Sequence, residues 1–229
     1  MARTLVQLRS DVRSRLNEAT AAFWSDDELT RWINEGAADI ARRTESLRDT
    51  EDIAITIGTQ TYTGPTDLVR AHSLEWRPTG DSTVHSLTYR DKHSADALWG
   101  TSQANTDGTP MIWTSWGFPP SIDIIVYPTP NVAGSLRLHY YRLPATLASD
   151  ADVAEIPSGW EDLIAEYATQ LALRKDGNPR WQEAFQAYTA HLEALMETAV
   201  RFNDQAGQID DVFGGALAPT WLYAGNGDW

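Results

Sequence analysis

The hydrophobic period changes twice along these 229 residues, from helical to alternating and back, and that switch restricts the fold more than any single motif. Leu5, Leu8, Val12 and Leu16 recur every three or four residues, so the first segment is predicted to be an amphipathic helix with its arginines outside. Residues 23–36, FWSDDELTRWINEG, open a second helix. Ser25 followed three residues later by Glu28 is a capping box, in which the serine oxygen accepts the Glu28 amide and the glutamate reaches back to the Ser25 amide. Asp26 and Asp27 then stand at the positive end of the helix dipole. This acid cluster therefore reads as a helix start and not as a catalytic acid pair, and Ser25 and Glu28 are expected to be structural caps. Leu29, Trp32, Ile33, Ala37, Ile40 and Ala41 continue the apolar face, and Arg42 and Arg43 close the last turn.

From Asp52 the period is two. Ile53, Ile55 and Ile57 alternate, Gly58-Thr59-Gln60 turns the chain, and residues 61–63 return, which predicts a short local hairpin. Further strands are predicted over 68–77, 84–90, 111–116, 122–127 and 136–142, with a short helix over 91–99 and turn-rich loops between them. Helical spacing returns after Ile156-Pro157, where Trp160, Leu163, Ile164, Tyr167, Leu171 and Ala172 share a face, with Ser158 as the cap and KDGNP at 175–179 as the stop. A long last helix from about Arg180 carries Trp181, Phe185, Tyr188, Leu192, Leu195, Met196, Ala199 and Phe202 as its core stripe. The expected fold class is α+β: a four-helix bundle formed by the N- and C-terminal segments, an inserted small antiparallel β domain, and an extended C-terminal tail. The implied units are 1–49 and 151–205 for the two helix pairs, 50–150 for the β domain and 206–229 for the arm.

Composition removes most chemistry. With no cysteine there are no disulfides, thiolate metal sites or cysteine nucleophiles. The five histidines (His72, His85, His93, His139, His191) show no metal-ligand spacing beyond Asp91-x-His93, which a helix cap explains equally well. No phosphate-binding glycine loop and no nucleophile elbow occur, so the chain is not expected to be an enzyme or to hold a cofactor or metal. The N-terminal residues form neither a signal peptide nor a membrane span, which predicts a product made in the cytoplasm with no membrane partner. The net charge is −14, and residues 145–229 hold 4 basic against 14 acidic groups, so phosphate backbones are repelled. Ten tryptophans exceed ordinary usage and point to large aromatic contact surfaces. A carbohydrate-binding or tail-associated module, with Trp113, Trp116 and Tyr127 stacking on sugars, is the alternative, although strand alternation sends Trp113 and Trp116 to opposite faces.

The order of four motifs carries a resemblance. Tyr127-Pro128-Thr129-Pro130 is followed by Gly134, by Tyr140-Tyr141-Arg142-Leu143-Pro144-Ala145 and by Ile156-Pro157-Ser158-Gly159-Trp160-Glu161-Asp162-Leu163, with the WSDDELTRWINEG stretch upstream. The chain thus resembles the head-to-tail adaptor (connector) proteins of tailed bacteriophages, from the first helix to the last. The resemblance implies a non-enzymatic virion protein of the neck between head and tail: a homo-oligomeric, dodecameric ring that binds the portal protein and serves genome ejection. Such a ring extends the DNA channel, lets double-stranded DNA pass without specific binding, and presents a platform to a downstream tail or nozzle protein. Residues beyond Asn203 carry none of these motifs. Glycines and Pro219 interrupt any helix there, yet Val212, Phe213, Trp221, Leu222, Tyr223 and Trp229 are too apolar for a free polar tail. They are expected to form an extended arm that binds the portal or a neighbouring subunit, folding back on the same subunit being the alternative.

Overall fold

A computed structural model describes residues 2–18, 20–99 and 107–210. In chain order the elements are α1 (Leu5–Arg15), α2 (Asp26–Thr44), β1 (Arg48–Ile55), β2 (Thr61–Thr63), β3 (Leu68–Pro78), β4 (His85–Tyr89) and α3 (Lys92–Trp99). There follow β5 (Asp107–Gly108), β6 (Ile112–Phe118), β7 (Ser121–Tyr127), β8 (Thr129–Pro130), β9 (Gly134–Arg142), α4 (Asp162–Lys175) and α5 (Trp181–Asp210).

The helices share one core. α1 contributes Leu5, Leu8 and Val12, α2 contributes Leu29, Ile33, Ala37 and Ile40, α4 contributes Leu163, Ile164, Ala168 and Ala172, and α5 contributes Tyr188, Leu192 and Leu195. Each fully buried aliphatic side chain stabilises the fold by about 1.5–3 kcal/mol relative to exposure. α2 and α4 approach closely at Gly36, where an added Cβ would lie 3.0 Å from the Tyr167 Cβ. Trp24 donates its indole N–H to the Ala172 carbonyl at 3.3 Å, which fixes the start of α2 against the end of α4.

The second core lies inside the sheet, built by Leu74, Trp76, Trp113, Ile124, Val126, Leu136 and Leu138 with Tyr62 and Tyr140. Strand order is β1-β9-β3-β4-β6-β7-β2, antiparallel except for β4 with β6, which pair in parallel through Thr88 with Ile112 and Tyr89 with Trp113. That parallel step needs a crossover, and the connection carrying α3 supplies it. β1 and β2 are neighbours in sequence but lie at opposite edges of the sheet, which curls into a near-barrel. At the start of β9 an added Cβ on Gly134 would meet the Arg77 carbonyl at 2.2 Å, so only glycine fits.

The expected four-helix bundle with a small inserted β domain is not the architecture. Among the described residues there are five helices, and the dominant unit is a seven-stranded, mostly antiparallel near-barrel. The expected local hairpin is absent too: β1 pairs with β9, and β2 pairs with β7. Period two shows that one face of a strand is buried and says nothing about which strand lies alongside. The β1–β9 pairing runs over eight residues and sets Asp52 opposite Arg137, which donates two 2.7 Å hydrogen bonds to it. Two further expectations fail locally. Ser158 does not cap α4, whose N-cap position is Glu161. Phe185 and Met196, assigned to the core stripe of α5, are 48% and 39% exposed.

Candidate interaction surfaces

The acidic stretch at the start of α2 is wired into the fold. Ser25 Oγ accepts from the Glu28 amide at 3.2 Å, and the Ser25 amide donates to Glu28 Oε2 at 3.3 Å. Lys175 Nζ reaches Glu28 Oε1 at 2.5 Å, and this bond, with the Ser25 amide, holds the Glu28 carboxyl below the usual range. Asp26 accepts from Arg13 Nη2 at 2.8 Å, which lowers its pKa likewise. Arg13 is buried, and it also bonds Glu18 Oε2 at 2.5 Å and the Trp24 carbonyl at 2.9 Å. Burial pushes the Glu18 carboxyl up, but the amides of Phe23, Ala22 and Trp24 and the Arg13 charge together bring it below its ordinary value. These acids and bases hold the loop between α1 and α2, and none is left poised for proton transfer.

A second polar cluster ties the helices together. Arg3 bonds both Asp11 and Asp162 at 2.8 Å, Arg15 bonds Asp162 at 3.0 Å, and His191 of α5 meets Glu166 of α4 at 2.9 Å. Tyr188 donates to Asp39 at 2.6 Å, and burial together with that carboxylate pushes the phenol well up. Asp91 accepts from the Ser94 amide at 2.9 Å at the head of α3. No group of three or more histidine and carboxylate ligands occurs among the described residues.

The aromatic platform required for sugar binding does not form, because Trp113 is 2% and Tyr127 is 3% exposed. Trp113 packs edge-on against Tyr89 inside the sheet. Trp116 is the exception, at 61%, and Phe118, which sequence reasoning passed over, is 87% exposed. Both stand at the end of the β6–β7 hairpin beyond the sheet core, with Trp116 opposite Asp123 and Phe118 opposite Ser121. Beside them Leu68, Ala71, Tyr89 and Ile122 line a cleft of about 460 Å³. The signal that could have located this tip is an uncharged run: residues 108–122 hold no Asp, Glu, Lys or Arg.

A family model described as SU10 adaptor protein matches residues 3–213. The chain belongs to that family. Members of the SU10 adaptor protein family are phage head-tail adaptors, so the chain is a virion component that interacts with other phage head or tail proteins. The family is structural and generally non-enzymatic. No curated protein matches the chain. The SU10 adaptor match covers both cores and all five helices, and it runs past Asn203, where the motifs of the sequence stopped, to include Val212 and Phe213. Trp221, Leu222, Tyr223 and Trp229 lie beyond the match, and these four with Val212 and Phe213 are outside the described residues. α5 continues through Asp210, so the first residues assigned to the arm are helical. No helix among the described residues is long and apolar enough to cross a membrane.

Proposed function

We propose that this protein is a subunit of a dodecameric adaptor ring at the neck of a tailed phage, joining the portal protein to the next tail or nozzle component and extending the DNA channel. The observation that carries the reading is the unbroken SU10 adaptor match over residues 3–213, which includes both packing cores. Charge supports the channel role: with 4 basic and 14 acidic groups over residues 145–229, the ring lets duplex DNA slide through without specific binding during genome ejection. In this reading the residues after α5 form the docking arm, and Val212, Phe213, Trp221, Leu222, Tyr223 and Trp229 anchor it on the portal or on a neighbouring subunit, since aromatic anchors dominate interface energy.

The test is the mass of the full-length protein alone and mixed with portal protein, by native mass spectrometry. A ring of twelve copies bound to the portal is expected, and full-length protein that never joins the portal refutes the role. Deleting residues 211–229 should leave a folded subunit, with an unchanged helical signal, that no longer joins the portal. Undiminished docking by the truncated chain refutes the assignment of the arm alone.

A further inference from the structure

β4, five residues long, lies between β3 of eleven and β6 of seven, and part of its lane in the sheet is open. β3 pairs with β9 from Leu68 to Pro78 but with β4 only through Leu74, Glu75 and Trp76. β6 pairs with β4 only at Ile112 and Trp113, after which the Arg90 amide donates to the Trp113 carbonyl at 2.9 Å and the chain turns off into α3. Extending the Leu74–Leu87 register sets Tyr89 level with His72. Beyond that level the lane is flanked by Leu68–Ala71 on one side and by residues 114–118 on the other, with no strand between them among the described residues. β6 keeps an unbroken register with β7, so Ser115, two residues past Trp113, turns its N–H and C=O into the same lane. β3 carries two bulges along this stretch, irregularities typical of a barrel rim. The floor is apolar: Leu68, Ala71, Tyr89, Trp113 and Ile122 line the cleft of about 460 Å³ that marks the lane.

We propose that this lane takes a strand from the same chain, Thr220–Tyr223, which in the free subunit lies between β3 and β6 and continues the row of β4. An extended peptide suits such a site, because it adds main-chain hydrogen bonds to a strand edge while alternate side chains meet the floor. Charge selects this segment. The two longest stretches of the chain without Asp, Glu, Lys or Arg are residues 108–122, which supply the β6 wall, and residues 212–227. Among the described residues no carboxylate lines the cleft, and its arginine, Arg70, is held by Glu45, so a charged segment would lose its hydration there without gaining a partner. Within 212–227, Thr220, Trp221, Leu222 and Tyr223 are strand formers bounded by Pro219 and Gly225, and four residues span the roughly 13 Å of Leu68–Ala71. The course of the helices brings the segment within reach. α2 and α5 both run antiparallel to α4: Trp24 meets Ala172 and Gly36 meets Tyr167, while a short turn joins α4 to α5. α5 therefore runs parallel to α2, level with it where Tyr188 bonds Asp39, toward the sheet that α2 enters after Thr44. From Tyr188 to Asp210 it advances about 33 Å, against about 8 Å from Asp39 to Thr44. The mouth of the lane lies at that same end of the sheet, where Arg70 bonds Glu45 directly after α2. Residues 211–219 can span about 30 Å, enough to return Thr220 to it. A tethered segment also competes at an effective concentration of about millimolar, which favours the subunit's own strand over a free one. The inference goes beyond the ring reading, since it concerns the subunit before it meets a partner: the lane keeps Trp221, Leu222 and Tyr223 out of water until then.

The experiment uses the full-length chain in dilute solution, without portal protein. The chain has no cysteine, so Ser115→Cys can be combined in turn with Thr220→Cys, Trp221→Cys, Leu222→Cys and Tyr223→Cys. Under mild oxidation, disulfides within one chain should form in an alternating pattern, about fivefold more at one pair of alternate positions than at the other, because successive side chains of a strand face opposite ways. In hydrogen exchange of the wild type, amides 220–223 should be slowed about tenfold or more relative to the Leu222→Asp variant, which brings a charge into the lane, and amides 114–117 should be slowed in step. Equal disulfide yields at all four positions, disulfides only between two copies, no disulfides, or tail amides that exchange at one rate in wild type and Leu222→Asp each overturn the inference. Portal protein is absent throughout, so these outcomes leave the ring reading standing, and a failure of the ring reading leaves this inference standing.

Discussion

Replacing Arg13 with alanine should be among the most damaging changes at any charged position of this protein. Its guanidinium is buried and satisfies three acceptors at once: Glu18 at 2.5 Å, the Trp24 carbonyl at 2.9 Å and Asp26 at 2.8 Å. Removing one member of a buried ion pair costs about 3–5 kcal/mol when the other charge is stranded. Here the stranding is partial. The Glu18 side chain is 10% exposed but keeps three amide donors, and Asp26, 56% exposed, regains water. The expected loss is therefore about 2–3 kcal/mol, which at a urea m-value of about 2–3 kcal/mol/M moves the midpoint down by about 1 M with m unchanged. Arg13→Lys should recover no more than about half, since an ammonium cannot present the planar fork that reaches all three acceptors. Acid supplies a second readout. Glu18 and Asp26 both have folded pKa values below the unfolded ones, so their contribution is complete above the unfolded values near 4 and is lost as pH falls through the folded values. The gap between wild type and Arg13→Ala should accordingly narrow below about pH 4. A midpoint shift under about 0.2 M at pH 7, or Arg13→Ala and Glu18→Gln effects that simply add, would refute the network.

Ser25→Ala should cost about 1 kcal/mol through loss of the α2 cap, read in the same urea titration, while ring assembly at working concentrations is unaffected. Gly134→Ala should cost about 3 kcal/mol or more, because the Arg77 carbonyl stands 2.2 Å from the new Cβ; a midpoint within about 0.3 M of wild type would show that the strand can move aside. Assembled wild-type protein should show no tight binding to duplex DNA in a fluorescence anisotropy titration at physiological salt, and a Kd of about 1 µM or below would contradict the acidic-channel argument.

The helices were far more legible in the sequence than the sheet, and the reason is physical. A helix satisfies its own backbone, so a 3.6 period with caps, as in α2, defines both the element and its buried face without reference to the rest of the chain. A strand is completed by a partner that the period does not name. β1 found β9, far along the chain, although β2 and a turn followed at once. α5 shows the complementary limit: its buried face is the narrow stripe Tyr188, Leu192 and Leu195, and apolar positions beside that stripe stay exposed. Phe185 and Met196 belong to the periodic pattern but not to the core. Arg13 was misread as an outward arginine. Its burial comes from the loop after α1, which folds back to place Glu18 and the Trp24 carbonyl around it, and loop conformation leaves no periodic trace. At the hairpin tip, alternation separated Trp113 from Trp116, but only the structure shows that β6 outruns the core and leaves Phe118 uncovered.

The two cores of this phage adaptor protein are joined by more than the chain that passes between them. The segment that leaves β9 for α4 is fastened from both sides. Asn34 of α2 both accepts from the Leu147 amide at 2.8 Å and donates to the Leu147 carbonyl at 2.9 Å, the pairing a neighbouring strand would make. Arg142 at the end of β9 bonds Glu155 at 2.8 Å, and the Leu5 amide at the head of α1 donates to the Asp152 carbonyl at 2.8 Å. Where α2 passes into β1, Glu45 adopts a left-handed conformation at φ 48° and forms a two-pronged ion pair with Arg70 of β3. The α2–β1 passage is thus tied to the sheet through Arg70, and the β9–α4 connection is held by α1, α2 and the end of β9. Rotating one core against the other would break several of these at once, which is the condition for two packed units to respond to load as one body.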